Sequence, residues 1–355
     1  MASILLRADS DDKTGYYGIN RRKRVFIAAF MIMALIVAAC SLVIGFYKVS
    51  FSECIDIIRD HLSGRIEDVT ADNIVFGSRL PIAIFAIVCG ACLSMGGAVM
   101  QSILRNPLAD PYMMGISSGA SFGVALSVIA GVGVGLSGQM AQTSMAFLFS
   151  LIPMAVVLVF SLKRRITATK IILIGIAVSY VFSACTTLLM MTANDESLSE
   201  VYSWNVGSLS LITWDSLPIP IAVTVAGAAI LFSMERKINV MMSGTNTAHS
   251  LGVNVGRTTL ILMVTISLMT AAVVSFCGTI GFIGLVGPHI ARIFVGSSTR
   301  YLLPASAAFG GAYLLLANVI ASVTGSSGLP VGVVSALVGC PLFIFILLKV
   351  RKNAW

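Results

Sequence analysis

Charge is scarce in this chain of 355 residues: Asp, Glu, Lys and Arg together make up 11% of it. A soluble domain carries roughly a quarter, so soluble folds are excluded. Long apolar runs fill the sequence from about residue 25 onward, and no Asp, Glu, Lys or Arg falls in the middle of any of them. Carriers driven by proton or sodium gradients bury ionisable groups at mid-membrane depth. Their absence argues that any transport draws its energy from elsewhere. Histidines number three, His61, His249 and His289, and no H-E-x-x-H occurs. The pattern G-x-x-x-x-G-K-[ST] is also missing. "GVNVGRTT" (252–259) fails it in glycine spacing and in the lysine, so no nucleotide site is expected on this chain. Cys89 and Cys92 form a C-x-x-C, but no second pair or histidine accompanies it. The seven cysteines read as small apolar packing residues, and no metal site is expected.

What remains is grease: 57% of residues are hydrophobic and the mean hydropathy is +0.96. Many runs reach the roughly 20 residues needed to cross a bilayer as helix. In lipid every backbone group must be paired within its own segment, so runs this uniformly apolar are helices and not barrel strands. The fold class is an all-α polytopic membrane protein. Charge, Pro and Gly punctuate ten candidate spans, near 25–46, 80–104, 112–133, 143–162, 168–192, 218–235, 257–277, 280–296, 304–323 and 331–349. The first follows Arg21, Arg22, Lys23 and Arg24, but it is longer than a signal-peptide core and no A-x-A ends it, so it reads as a retained helix. Residues 1–24 form a tail and 25–351 one ten-helix membrane domain, with 236–257 as its long inner loop.

The positive-inside rule sets the orientation. With both termini cytoplasmic, 19 of the 23 Lys and Arg fall inside, leaving Lys48, Arg59, Arg65 and Arg79 outside, and ten of the 15 acids fall outside. The net charge of +8 therefore reports orientation, not nucleic-acid binding.

"GISSG" (115–119) matches G-x-S-x-G and "GLSG" (135–138) the G-x-S-G of intramembrane serine proteases. The first lies in a helix instead of a strand–turn–helix and has no histidine partner, so no catalytic residue is assigned. Gly115, Gly119 and Gly123 recur every fourth residue and read as one packing face. In "RNPLADP" (105–111), Pro107 and Pro111 forbid continuous helix and force Asn106 and Asp110 extended. Asp110 is then placed to cap the third span. By physics alone the segment is a rigid inner turn. "TAHSLGVNVG" (247–256) reads as a short helix ending at Gly252, with Leu251 and Val253 suited to docking a partner or lying on the membrane surface.

The order of "SRLPIAIFAIVCGACLSMGGAVMQSILRNPLADPYMMGISSGASFG", "AHSLGVNVGR", "GTIGFIGLVGPHIARIFVGSSTRYLLP" and "GLPVGVVSALVGCPLFIFILLK" resembles the permease subunits of ABC importers for iron-siderophores, heme and vitamin B12. The resemblance covers about residues 25–351. It implies the type II importer fold: ten helices per subunit, a second permease, here expected to be identical, two cytoplasmic ATPase subunits carrying ATP and Mg, and an extracytoplasmic substrate-binding protein. It implies residence in the inner membrane of a prokaryote. Carried onto this sequence, Thr247, Ala248, His249, Ser250, Leu251, Gly252 and Val253 would couple to the ATPase. Asn106, Pro107 and Leu108, with Thr167 and Thr169 at the start of the fifth span, would form the cytoplasmic gate. Ser179, Ser183, Thr186 and Thr187 would line the pathway. Arg59, Arg65 and Arg79 would receive the binding protein. The family's second arginine after R-x-P is Ile82 here, its ninth-span Asp and Arg are Asn318 and Ser322, and its glutamate before "LPVG" is Gly328. The implied cargo is an iron-siderophore or heme, with a corrinoid next. The rival classes are a self-sufficient secondary carrier and a membrane serine hydrolase using Ser117 or Ser137.

Overall fold

A computed structural model of the chain describes residues 2–45, 47–163, 168–324 and 328–349, and every regular element among them is helical. In chain order these are α1 (Ala2–Val43), α2 (Phe51–Ser63), α3 (Val69–Asp72) running through a π-helical stretch (Asn73–Arg79) into α4 (Leu80–Leu104), a 3-10 turn (Pro111–Met114), α5 (Ile116–Ala130), α6 (Gly138–Lys163), α7 (Ala168–Met190), α8 (Asp195–Asn205), α9 (Pro218–Ser233), α10 (Glu235–Met242), α11 (Thr245–Ser250), α12 (Val255–Cys277), α13 (Ile283–Val295), α14 (Thr299–Val323) and α15 (Val331–Lys349). Among the described residues, seven stretches are long and apolar enough to cross a bilayer: 20–43, 69–104, 138–160, 169–190, 214–233, 255–277 and 299–323. Shorter apolar helices at 116–130, 283–295 and 331–346 bring the set to the ten runs expected.

Helix α4 forms the centre, with 72% of its most apolar window buried. It can sit there because small residues let neighbouring backbones close on it. A Cβ on Gly90 would collide with the Gly310 carbonyl of α14, and one on Gly97 with the Gly284 carbonyl of α13. The Gly119 and Gly123 face works as expected. Added Cβ atoms there would strike the Phe149 and Met145 carbonyls, so α5 and α6 touch backbone to backbone.

The structure departs from the expected spans at particular residues. Asp110 does not cap the third span. Its Oδ1 accepts the Tyr112 amide at 2.8 Å and caps the 3-10 turn instead. Gly115, at φ 82°, then breaks the chain before α5, because only glycine adopts that conformation without strain. The run expected at 280–296 begins only at Ile283, behind an unwound stretch at 278–282 whose Phe282 holds φ 68°. Connections expected as plain segments are themselves helical. Helix α2 is fixed by a capping box in which Ser50 Oγ accepts the Glu53 amide at 3.2 Å and Glu53 Oε2 accepts the Ser50 amide at 2.7 Å.

Side-chain bonds show which connections share an end of the bundle. Arg105 Nη2 donates to Thr245 Oγ1 at 3.2 Å and the Thr299 amide to Asn239 Oδ1 at 2.8 Å, which gathers the 105–110 turn, α10 and α11 at one end. At the other, Trp214 Nε1 donates to the Phe76 carbonyl at 2.9 Å and Gln142 Nε2 to Glu200 Oε1 at 2.5 Å.

Candidate functional site

At the α11 end the chain presents a short helix with an anchored underside. Ala248 is fully buried, whereas Thr247, His249, Ser250 and Gly252 are exposed and Leu251 is 64% exposed. Gly252 turns left-handed at φ 78°, and the Val253 amide returns to the Ala248 carbonyl at 2.9 Å. Val253 packs partly against the core. Leu251 is thus a single apolar side chain displayed on an otherwise polar helix end.

Beside it lies the proline turn. Asn106 Oδ1 accepts the Leu108 amide at 3.0 Å and the Asn106 carbonyl accepts the Ala109 amide at 3.0 Å, an Asx-type turn that holds the segment rigid. Leu108 is 44% exposed while Ala109 is fully buried. Arg105, left-handed at φ 48°, joins this turn to Thr245 at the start of α11. Thr169 is exposed on α7, and Thr167 lies outside the described residues.

Helix α7 leaves most of its surface uncovered: Leu173 is 59%, Tyr180 74% and Leu188 66% exposed. Ser183 and Thr187 share that exposed surface and Ser179 is partly covered, but Thr186 is only 6% exposed and turns inward. The hydroxyl protons here are already engaged, Ser179 with the Gly175 carbonyl at 2.8 Å and Thr187 with the Ser183 carbonyl at 3.0 Å. Such groups offer a passing molecule an oxygen lone pair and little grip.

At the α2 end, Arg59 and Arg65 are exposed. Arg79 is committed elsewhere. Its Nη1 donates to the Leu42 and Val43 carbonyls at 2.7 and 3.2 Å and its Nη2 to the Tyr47 carbonyl at 2.6 Å, so the guanidinium closes the end of α1. At the same end Glu53, Asp56, Asp60, Glu67 and Asp68, with Lys48, line a cavity of about 260 Å³. Asp72, 7% exposed, is held by His61 Nδ1 at 2.8 Å, and the His61 ring stacks on Phe76 with centroids 3.5 Å apart.

Residues 31–349 match the FecCD transport family. The chain belongs to that family. It is 39% identical over 279 residues to a cobalamin import system permease of Halobacterium salinarum, covering 78% of this chain and 74% of the relative. It is 30% identical over 324 residues to a molybdate import system permease of Haemophilus influenzae, covering 91% and 95%. A solved structure described as an inward-facing conformation of a metal-chelate type ABC transporter superposes with a TM-score of 0.81 at 29% identity, covering 91% of this chain and 99% of that one. The chain is thus a multi-pass ABC transporter permease, a transport subunit and not an enzyme.

Within the FecCD fold the structure adds residues that the sequence reading placed elsewhere. Asp110, counted as a turn residue, is 7% exposed and reaches under the first turn of α13, where a Cβ on Gly284 would meet its Oδ2 at 2.5 Å. Burial pushes its carboxyl up to about 6, against a smaller downward pull from the Tyr112 amide. Tyr112 Oη donates to the Ile280 carbonyl at 3.2 Å, pinning the 3-10 turn to the unwound stretch before α13. Asp110, Tyr180 and Phe282 then border one recess against α7. The two prolines flanking the acid carried a signal of fixed geometry, but nothing local to the turn says that α13 covers it.

Proposed function

We propose that this chain is the membrane subunit of an ATP-driven importer that passes a metal chelate from an extracytoplasmic binding protein to the cytoplasm by alternating access. The cargo is an iron-siderophore or heme, with a corrinoid next. Membership of an ABC permease family supports the class, and the metal-chelate transporter of like fold and the cobalamin permease among its relatives support the cargo. On this reading the basic α11 end faces the cytoplasm and the acidic α2 end faces outward, as the positive-inside rule requires. Two copies flank a central pathway in a prokaryotic inner membrane, and ATP and Mg are held by two partner ATPase subunits.

The observation that carries the mechanism is α11. Its exposed Leu251 sits above a buried Ala248, and the helix start is joined through Arg105 to the turn that holds Asn106 and Leu108. ATP-driven closure of the partners displaces α11, the turn follows, and the α7 surfaces separate. The test is co-reconstitution with the partner ATPase and binding protein. Leu251→Asp is expected to leave expression intact and to abolish binding-protein-dependent uptake while ATP hydrolysis persists. Normal coupled uptake by this variant sinks the assignment of α11. Uptake driven by a proton or sodium gradient without any ATPase sinks the importer itself.

A further inference from the structure

Three segments that are not neighbours in sequence meet around one recess of about 430 Å³: the 3-10 turn with Asp110, the α7 face with Ser179, Tyr180 and Ser183, and the unwound stretch with Phe282. Two of the three are not α-helical: the 3-10 turn ahead of α5 and the unwound connection between α12 and α13. Non-helical backbone within a membrane protein is tolerated where it is buried in protein or lines a cavity, and transporters build contact sites at such interruptions. We propose that this recess is where the cargo rests during passage, and that it takes a neutral or cationic organic chelate and turns away free oxyanions, which among the cargoes above favours a neutral or cationic siderophore or a corrinoid over heme with its two propionates. The proposal rests on the importer reading, since it takes the α7 face to border the pathway.

Three observations set the ligand chemistry. First, among the described residues no Lys, Arg or His lines the recess and none pairs with Asp110. The carboxylate is held by the Tyr112 amide and by its seat against α13, so its charge is directed and not neutralised. In a partly desolvated setting one uncompensated charge governs the local field. Second, the hydroxyl of Ser179 donates to its own helix at 2.8 Å and is left as an acceptor, so at this point the wall answers donors on the cargo. Third, Tyr180 is 74% exposed and Phe282 is fixed in the left-handed region at φ 68°, a conformation costly for a bulky residue and found at functional sites. Two rings beside a carboxylate suit a broad, partly apolar organic surface. A cargo arriving from the α2 end first meets a cavity lined by Glu53, Asp56, Asp60, Glu67 and Asp68 together with Lys48, with Arg59 and Arg65 exposed at the same end, so the selection by charge rests on Asp110.

The test reads the field directly. In the full-length chain in lipid nanodiscs, Cys40, Cys185 and Cys340, the native cysteines that are not buried, are replaced by Ser. Tyr180→Cys then supplies the reporter. Its rate of modification is measured with a cationic (trimethylammonium) and an anionic (sulfonate) ethyl methanethiosulfonate, each normalised to a small free thiol. The cationic reagent is expected to be favoured by about tenfold, the scale of one nearby charge in a partly screened site. Asp110→Asn, which keeps an acceptor for the Tyr112 amide, is expected to bring the ratio back near one. Ser183→Lys, on an exposed position, is expected to reverse it. Equal rates, a ratio that ignores both changes, or a cysteine closed to both reagents overturns the site. Because neither reagent needs an ATPase or a binding protein, this result stands apart from the importer reading. A second arm addresses the cargo: in vesicles with the assembled importer, uptake of radiolabelled molybdate is expected to stay at background while a cationic ferric trihydroxamate competes with the native load. Molybdate uptake overturns the cargo class and leaves the importer reading intact.

Discussion

Asp110 is held in two opposed ways: the Tyr112 amide favours its charge, and burial, the larger effect, opposes it and lifts its carboxyl from 3.8 to about 6. An acid whose folded value lies above its unfolded one binds its proton more tightly in the native state. The resulting stability is complete below the unfolded value and is lost as pH rises through about 6. At neutral pH the ionised group costs up to about 3 kcal/mol. Asp110→Asn is therefore expected to raise the thermal midpoint in detergent at about pH 7.5 and to lose most of that gain at about pH 4. An equal gain at both values refutes the account. Arg79 makes the complementary case. Arg79→Ala strips three carbonyls of their donor and should loosen α1, while the affinity for the binding protein, read by titration of nanodisc complexes, should be unchanged. Loss of affinity without loss of stability would return Arg79 to the docking surface and leave Arg59 and Arg65 as its companions.

Between α5 and α6 the energy lies in close approach, not in specific bonds. Gly123→Val must push its side chain into the Met145 carbonyl, and overpacking of this kind costs about 1–3 kcal/mol. Gly256→Ala, in the first turn of α12 with its nearest foreign atom 3.8 Å away, should be neutral or slightly stabilising. Thermal unfolding of the pair in one detergent checks the contrast. The helices were legible because lipid forces one periodic solution on every apolar run, and the four-residue glycine spacing named the Gly119 and Gly123 face, while Gly115 lies just before the helix. The interruption at Gly115 was not legible, because apolar content continues straight across it, whereas the break expected between 277 and 280 is present and runs on to Phe282. Helix α2 could have been found from its S-x-x-E start at Ser50 and Glu53. The inward turn of Thr186 required knowing which side of α7 is covered, and that depends on elements elsewhere in the chain.

For the whole molecule, the uncovered α7 surface and the separation of charge between the two ends fit a subunit that meets a second copy and different soluble partners at its two ends. Co-expression with its ATPase is expected to yield a detergent-stable complex of two permeases and two ATPases, measured by native mass spectrometry. A permease that purifies alone under every mild detergent contradicts that assembly. The bond from Arg105 to Thr245 has a consequence at this scale, because it lies within one polypeptide. On the proposed reading sensor and valve lie on the same polypeptide, and each half would carry its own complete circuit. A pair built from two unlike permeases would keep both circuits, and cutting one at Arg105 would silence that half while the other still answers its own motor.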